Sequence, residues 1–319
     1  MVGHLTIDDV VLPEGRTIMG TVGGASIYAA VGAHLVGGFV GIITRLGSDY
    51  PKASAERLET AGIPTQLVRV PGRALSQWAI YEQDGSRTYL LHPDSGDYAD
   101  TSPTPADGPD WSVVGALHLA PMPVRFQQPW IEEAARRGIP TITLDPHHDS
   151  SADNPERVLE MLPSLTAFLP SELEATRLHG PDPEQAAEAF VAAGAQMAVI
   201  KLGADGSILA TPDGRWHISA CPVDAVDTTG AGDSYCGAFL AAVAAGEAPQ
   251  HAAKLGTVAA ALTIQQSGAL AAMPRPDSRR IAELLDTVEA TLAAPDTTRR
   301  PPSEPPEHGS PPPKDATWT

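Results

Sequence analysis

Eight consecutive residues, Val226-Asp227-Thr228-Thr229-Gly230-Ala231-Gly232-Asp233, carry the strongest chemical signal in the chain, and they run straight into an apolar stretch. Small residues let the backbone turn tightly and approach a ligand closely. The pattern predicts that the N–H groups of Gly230, Ala231 and Gly232 converge at a helix start, with the positive end of the helix dipole behind them. Such a cradle suits a phosphate group. A carboxylate repels phosphate, so Asp233 in the same turn needs another purpose, and service as general base for an attacking hydroxyl is one. The plainer reading is a cap made by Asp227 or Thr229 with glycines that serve packing. A bare Gly-x-Gly would favour that reading; the full string at a loop-to-helix junction favours the anion site.

A second signal is Ser171-Glu172-Leu173-Glu174 after Pro170. Ser-x-x-Glu is a capping box, and at a strand end, where open α/β sheets bind ligands, the same Glu174 can also face a site. His147-His148-Asp149 reads as a solvated turn, because side chains of consecutive residues diverge. His118 reads as a hydrogen-bonded strand-end histidine. Trp78 and Tyr81 fit a cover over a ligand and simple packing equally well. No P-loop, no HExxH and no Rossmann glycine string is present, so phosphate handling rests on an anion hole rather than a Walker loop.

The elements that must hold these residues alternate. His4–Leu12 reads as a strand, and Gly23-Gly24 opens an Ala-rich helix to about Val36. Phe39–Ile43 follows as a strand and Pro51–Ala61 as a helix. This rhythm favours a layered α/β domain with a largely parallel sheet. Gln66–Val70, Ser76–Tyr81 and Thr88–Leu91 break it as strands without helices between them, with a hairpin signal at Asp84-Gly85. They predict a small antiparallel sheet acting as a lid. Later strands are expected at Ala116–Leu119, Thr141–Leu144, Ala167–Leu169, Met197–Lys201, Ser207–Ala210 and Trp216–Ser219. Helices are expected at Gln128–Arg137, Asp233–Ala245, Gln250–Gln265 and Ser278–Leu292. The domain thus spans 1–293, with lid strands near 10–20 and 66–92. The Pro-rich residues 294–319 form a tail that cannot bury enough apolar area to offset its ordering entropy.

Composition bounds the function. The 319 residues include 21 Lys and Arg against 39 Asp and Glu, a net charge of −18, with 42% hydrophobic residues. That balance argues against nucleic acid and anionic membranes, both of which need clustered basic residues. No apolar run approaches the ~20 residues of a membrane span. Two cysteines, Cys221 and Cys236, make no disulfide framework, and with no basic, apolar leader at the start a cytoplasmic protein is expected.

The string DTTGAGD, with Gly-His-Leu-Thr-Ile-Asp at the start, Gly23-Gly24, the lid, Lys201-Leu202-Gly203-Ala204-Asp205-Gly206 and Gly268-Ala269, resembles the ribokinase-type (PfkB) carbohydrate and nucleoside kinases over residues 1 to about 293. The resemblance implies a ribokinase-like three-layer α/β/α sandwich with a small β-sheet lid, and an ATP- and Mg²⁺-dependent kinase. By the same resemblance Asp233 is the base, and Gly230, Ala231 and Gly232 are the anion hole. Asp8 grips acceptor hydroxyls, and Gly23 and Gly24 admit the acceptor. Lys201, Gly203, Gly206, Thr228 and Gly268 lie along the nucleotide, Glu174 organises Mg²⁺ through water, and Asp227 and Thr229 belong to a loop that in several members holds a monovalent cation such as potassium.

Three positions often filled by Asn in the family carry Tyr28, His147 and Ser171, and the single asparagine, Asn154, replaces none of them. The expected acceptor is a sugar or cyclic polyol, on an inositol-kinase-like branch. A nucleoside stacked on Tyr28 is the alternative, and a sugar-sensing protein without catalysis is the reading from another class. The exposed lid edge suggests a homodimer.

Overall fold

The computed structural model describes residues 1–83 and 87–293; the expected turn at Asp84-Gly85 and the expected tail, 294–319, lie outside them. In chain order the elements are β1 (Thr6–Val11), β2 (Thr17–Gly23), α1 (Ala25–Leu35), β3 (Ile42–Leu46), α2 (Lys52–Thr60), β4 (Thr65–Arg69), β5 (Leu75–Tyr81), β6 (Arg87–Leu91), α3 (Tyr98–Thr101), β7 (Ala116–Leu119), α4 (Val124–Arg136), β8 (Thr141–Leu144), α5 (His148–Asp153), α6 (Pro155–Glu160), β9 (Ala167–Phe168), α7 (Glu172–Leu178), α8 (Pro183–Ala192), β10 (Met197–Lys201), β11 (Ser207–Thr211), β12 (Gly214–Ile218), α9 (Ala231–Ala244), α10 (Pro249–Ile264), α11 (Ser278–Thr287) and β13 (Ala290–Leu292).

The central sheet has two parts. One runs β13-β12-β11-β10-β9-β8-β7 and the other is β3-β4. Val2 bridges Ile43 and Leu119 in parallel, so residues 1–3 lie as a short strand between β3 and β7 and join the two parts. Strands β7 to β10 are mutually parallel, so their carboxyl ends share one rim. Alternation along them splits the core between two faces. Leu117, Leu119, Ile142, Leu144 and Ile200 pack under Trp130 of α4, Val158 of α6 and Phe190 of α8. On the other face Val199 and Leu209 pack under Phe239 of α9 and Val258 of α10. The result is helices, sheet, helices, the expected α/β sandwich.

The lid sheet runs β2-β1-β5-β6. It is mixed rather than purely antiparallel: β1 pairs antiparallel with β2 and parallel with β5, and β5 pairs antiparallel with β6. The sequence placed 66–70 in this lid, but β4 pairs in parallel with β3 and extends the central sheet instead. Conversely, β1 was expected to open the layered sheet and lies in the lid, while residues 1–3 take the central position. The strand expected at 39–43 starts later, at Ile42. The last helix, expected to reach Leu292, stops at Thr287, and Ala290–Leu292 pairs with β12. An open sheet edge offers these residues ladder hydrogen bonds that outweigh their local helix preference. Among the described residues no helix is long and apolar enough to cross a membrane.

Candidate active site

The chemistry gathers at the carboxyl rim of the parallel strands, where open α/β sheets present ligands to loops and helix starts. Gly230 caps α9 at φ +75°, a left-handed conformation, and a Cβ there would overlap the Tyr28 ring. A glycine is therefore required twice over, by φ and by contact. The Ala231 amide closes a long turn bond on the Thr228 carbonyl at 3.3 Å. The Gly230 and Gly232 amides donate to no acceptor among the described residues. Asp233 follows within the first turn, half-buried. The expected anion hole thus has two free amides and one weakly engaged amide, backed by a 14-residue helix.

Helix α9 is held in place by α1. Gly237 fits directly against the Ala29 backbone and Gly32 against Ser234, and Ser234 Oγ donates to the Tyr28 carbonyl at 3.1 Å. Tyr28 is consequently only 4% exposed, and its ring lies against Gly230 rather than offering a free stacking face. Burial, then the charges of Asp227 and Asp8, the Tyr81 phenol and Asp233, raise its pKa far above the ordinary tyrosine value, so it stays a neutral hydroxyl.

Glu174 makes the expected capping box and leaves one carboxylate oxygen over. Its Oε2 accepts from the Ser171 amide at 2.7 Å and the Ser171 hydroxyl at 2.8 Å, completing a capping box on α7. Its Oε1 accepts no hydrogen bond among the described residues. Beside it, Lys201 at the end of β10 accepts the pairing of Ser171 in a parallel bridge and reaches Asp145 Oδ2 at 2.6 Å. The Lys201 ammonium also donates to Cys236 Sγ at 3.3 Å, and that thiol donates to Asp145 Oδ2 at 3.3 Å. A Cβ built on Gly232 would lie 3.6 Å from Lys201 Nζ, so the ammonium adjoins the first turn of α9. Burial opposes the Lys201 charge, but Asp145, Cys236 and Glu174 raise its pKa and keep it protonated. Burial, Glu174 and Asp233 push the Asp145 carboxyl up against the pull of Lys201.

Sequence reasoning missed Asp145 and Cys236. The available signals were their positions: Asp145 immediately follows β8 at the rim, and Cys236 stands three residues after Asp233 on the same helix face.

The lid supplies the opposing wall. Asp8 on β1 is buried, with Gln77 Nε2 donating to Oδ1 at 3.2 Å. A Cβ on Gly23 would overlap the Asp8 carboxylate, so Gly23 makes room for Asp8 itself, and a Cβ on Gly24, which caps α1 at φ +102°, would meet the His4 carbonyl. Burial pushes the Asp8 carboxyl up to about 6, with Asp9 adding and the Thr6 and Gln77 hydrogen bonds subtracting. Gln77 pairs with Leu91 and Ala79 with Tyr89, so Tyr89 (45% exposed) and Leu91 (44%) share the Asp8 face of the lid. Tyr81, which sequence left between cover and packing, bonds Thr229 Oγ1 at 2.5 Å.

Asp227 is nearly saturated. Its Oδ1 accepts from Thr229 N (2.9 Å) and Oγ1 (2.6 Å), and its Oδ2 accepts from Ser267 Oγ (3.0 Å). An ionised carboxylate has about four acceptor sites, so one is left. Gly203 and Gly206 flank the turn from β10 to β11, Thr228 is exposed, and Gly268 lies against Thr21 of β2. His118 bonds Thr143 at 2.9 Å inside the core, and His147 caps α5. Among the described residues no three His, Cys, Asp or Glu side chains converge on a metal position. A cation held by Glu174 must therefore bring most of its ligands with it, as Mg²⁺ does on nucleotide phosphates.

Known proteins are similar to this chain over most of its length. A cytidine kinase of Thermococcus kodakarensis is 27% identical over 80% of this chain and 92% of its own. An aminoimidazole riboside kinase of Salmonella typhimurium is 28% identical over 87% of this chain and 92% of its own. The crystal structure of a putative ribokinase II from E. coli, in complex with ATP and Mg²⁺, superposes with a TM-score of 0.74 over 89% of this chain and 97% of that one, at 20% identity. Residues 2–276 match the pfkB family of carbohydrate kinases, and the chain belongs to that family of phosphotransferases.

Proposed function

We propose that the protein transfers the γ-phosphoryl group of ATP to a hydroxyl of a small sugar or cyclic polyol, with Asp233 as general base. The observation that carries this reading is the start of α9: two amides without an acceptor among the described residues and a carboxylate within one turn, with Asp8 near enough that both carboxylates act on Tyr28. Asp8 orients the acceptor by accepting hydrogen bonds from its hydroxyls. Asp233 takes the proton of the attacking hydroxyl. The Gly230 and Gly232 amides, joined by Ala231 as its long turn bond yields, donate to the oxygens that gain charge. Glu174 would hold Mg²⁺ through water, and the ion would neutralise phosphate charge there. Gly203, Gly206, Thr228 and Gly268 line the nucleotide. The last acceptor site of Asp227, with Thr229 beside it, would take a monovalent cation such as potassium, and no step depends on it.

A nucleoside is the second reading. Tyr89 and Leu91 favour it, because they spread apolar and aromatic surface over the acceptor side of the lid, and a base would cover it. The outer lid face, where Leu90 is 49% exposed opposite Trp78, supports a homodimer through the lid.

The test is phosphoryl transfer from ATP across sugars, polyols and nucleosides, read by product mass. A positioned base contributes roughly 10²–10⁴-fold, so Asp233→Asn should lose about that much kcat at an unchanged melting temperature. Full activity in that variant would overturn Asp233 as base. Tight sugar binding without any product in the wild type would leave a sugar-sensing protein.

A further inference from the structure

The resemblance places Lys201 along the nucleotide without naming its contact, and the proposed reaction gives no task to Asp145 and Cys236, which form a compact triangle with it. It is buried, with the Lys201 side chain 12% exposed, and it sits one turn of α9 beyond Asp233. The strongest charges acting on Asp145 are Lys201, Glu174 and Asp233, one cation against two further carboxylates. An anion hole rimmed by that much negative charge is a poor host for a triphosphate unless a cation stands inside it. Lys201 has three N–H donors. One is used on Asp145 Oδ2 and one on Cys236 Sγ, and the third has no acceptor among the described residues. The ammonium lies beside Gly232, whose amide is also free. Two groups with unused donors, one of them charged, are therefore neighbours.

We propose that Lys201 contacts the transferring phosphoryl group beside the Gly232 amide, and that Asp145 and Cys236 are positioning residues that hold its ammonium there. The inference rests on the kinase reading above. In the transfer the bond from the β–γ bridging oxygen to the γ-phosphorus breaks and its electrons leave with ADP. A bond from the acceptor oxygen to phosphorus forms, and the acceptor proton passes to Asp233. Lys201 gives up no proton; it stays an ammonium and donates to a phosphoryl oxygen throughout. Asp145 restricts the long lysine side chain to one geometry, so the donor is in place before the charge develops. Cys236 fills the space beneath and completes the hydrogen bonding of Asp145 Oδ2.

The ion pair alone would serve only the fold, and a double substitution separates the two cases. Removing both charges of a buried pair is often neutral for stability, whereas removing one strands the other. Binding of ATP and of adenosine, each with Mg²⁺, is measured by titration calorimetry on the wild type, Lys201→Met, Lys201→Arg and the double variant Lys201→Met with Asp145→Asn. Lys201→Met should weaken ATP about tenfold or more, as expected for one charge-assisted hydrogen bond, and leave adenosine within about twofold. The double variant should stay equally weak for ATP, and kcat should fall by about 10²-fold in both. Lys201→Arg should restore the preference for ATP over adenosine. Asp145→Asn alone should lower kcat about tenfold with the acceptor KM unchanged.

Three results would overturn the proposal. Recovery of ATP binding and turnover in the double variant would make the pair structural. Equal weakening of ATP and adenosine would remove Lys201 from the phosphates. A raised acceptor KM in Asp145→Asn would move Asp145 to the acceptor. The binding measurements need no acceptor, so they decide on Lys201 even if Asp233→Asn refutes the base.

Discussion

Asp8 bears a cost that its position makes measurable. Its carboxyl is raised from 3.8 to about 6, and each pKa unit is worth about 1.4 kcal/mol. The folded state binds the proton more tightly than the unfolded chain, so stability falls as pH rises from about 4 to about 6 and stays lower above that. The penalty at neutral pH is then roughly 3 kcal/mol. Asp8→Asn should raise the melting temperature at pH 8, and the gain should vanish as pH approaches 4. A gain of equal size at every pH would show that burial of the charge is not its source. Activity should move in the opposite sense: the wild-type kcat/KM for the acceptor falls as pH drops through about 6, and Asp8→Asn raises the acceptor KM at all pH values. Gly23 shows how much of this was legible. The sequence marked Gly23-Gly24 as a close approach, but not that the group approaching Gly23 is the Asp8 carboxylate, because that contact joins strands β1 and β2 only after they pair. The sequence named Tyr28 as an acceptor contact; its burial against Gly230 was not legible, since it depends on how α1 crosses α9.

In helix α7 the cap and the proposed Mg²⁺ contact fall on one side chain, Glu174, and they can be separated. Gln serves in a capping box as Glu does, so Glu174→Gln keeps the bonds to Ser171 but loses the charge on Oε1. Its Mg²⁺ requirement should shift upward about tenfold, with little change in melting temperature. Ser171→Ala should do the reverse, losing about 1 kcal/mol of stability with the Mg²⁺ requirement nearly unchanged. Equal Mg²⁺ shifts in both variants would mean that the cap, not the charge, sets the requirement. Helices α9 and α10 were readable because their starts and apolar content are local. Strand β13 was not, because Val288–Leu292 is drawn from helix to strand by the edge of β12, a partner more than 70 residues away. The lid membership of β1 and the central place of β4 failed for the same reason: strand partners are set by tertiary packing, not by the alternation each strand displays.

At the scale of the molecule, net charge and lid pull against each other. A charge of −18 keeps copies apart at low salt, whereas Leu90 and Trp78 on the outer lid offer a contact. Association through the lid should therefore strengthen with ionic strength as the repulsion is screened. Light scattering should find about twice the chain mass at physiological salt, and Leu90→Glu should return a monomer. A dimer untouched by Leu90→Glu would place the interface elsewhere.

The short strand at residues 1–3 has a consequence of its own. Val2 donates to the His118 carbonyl at 2.9 Å and accepts from Ala120 at 3.0 Å, while Met1 and Gly3 bond Ile43 on the other side. This is the seam between a two-stranded and a seven-stranded half. Parting the halves must break all of these bonds together, so the amides of Val2, Ile43 and Ala120 should exchange with deuterium as one group, at the rate at which the sheet splits. Lid amides, which need no such splitting, should exchange ahead of them. A three-residue segment would in that way time the opening of the whole sheet.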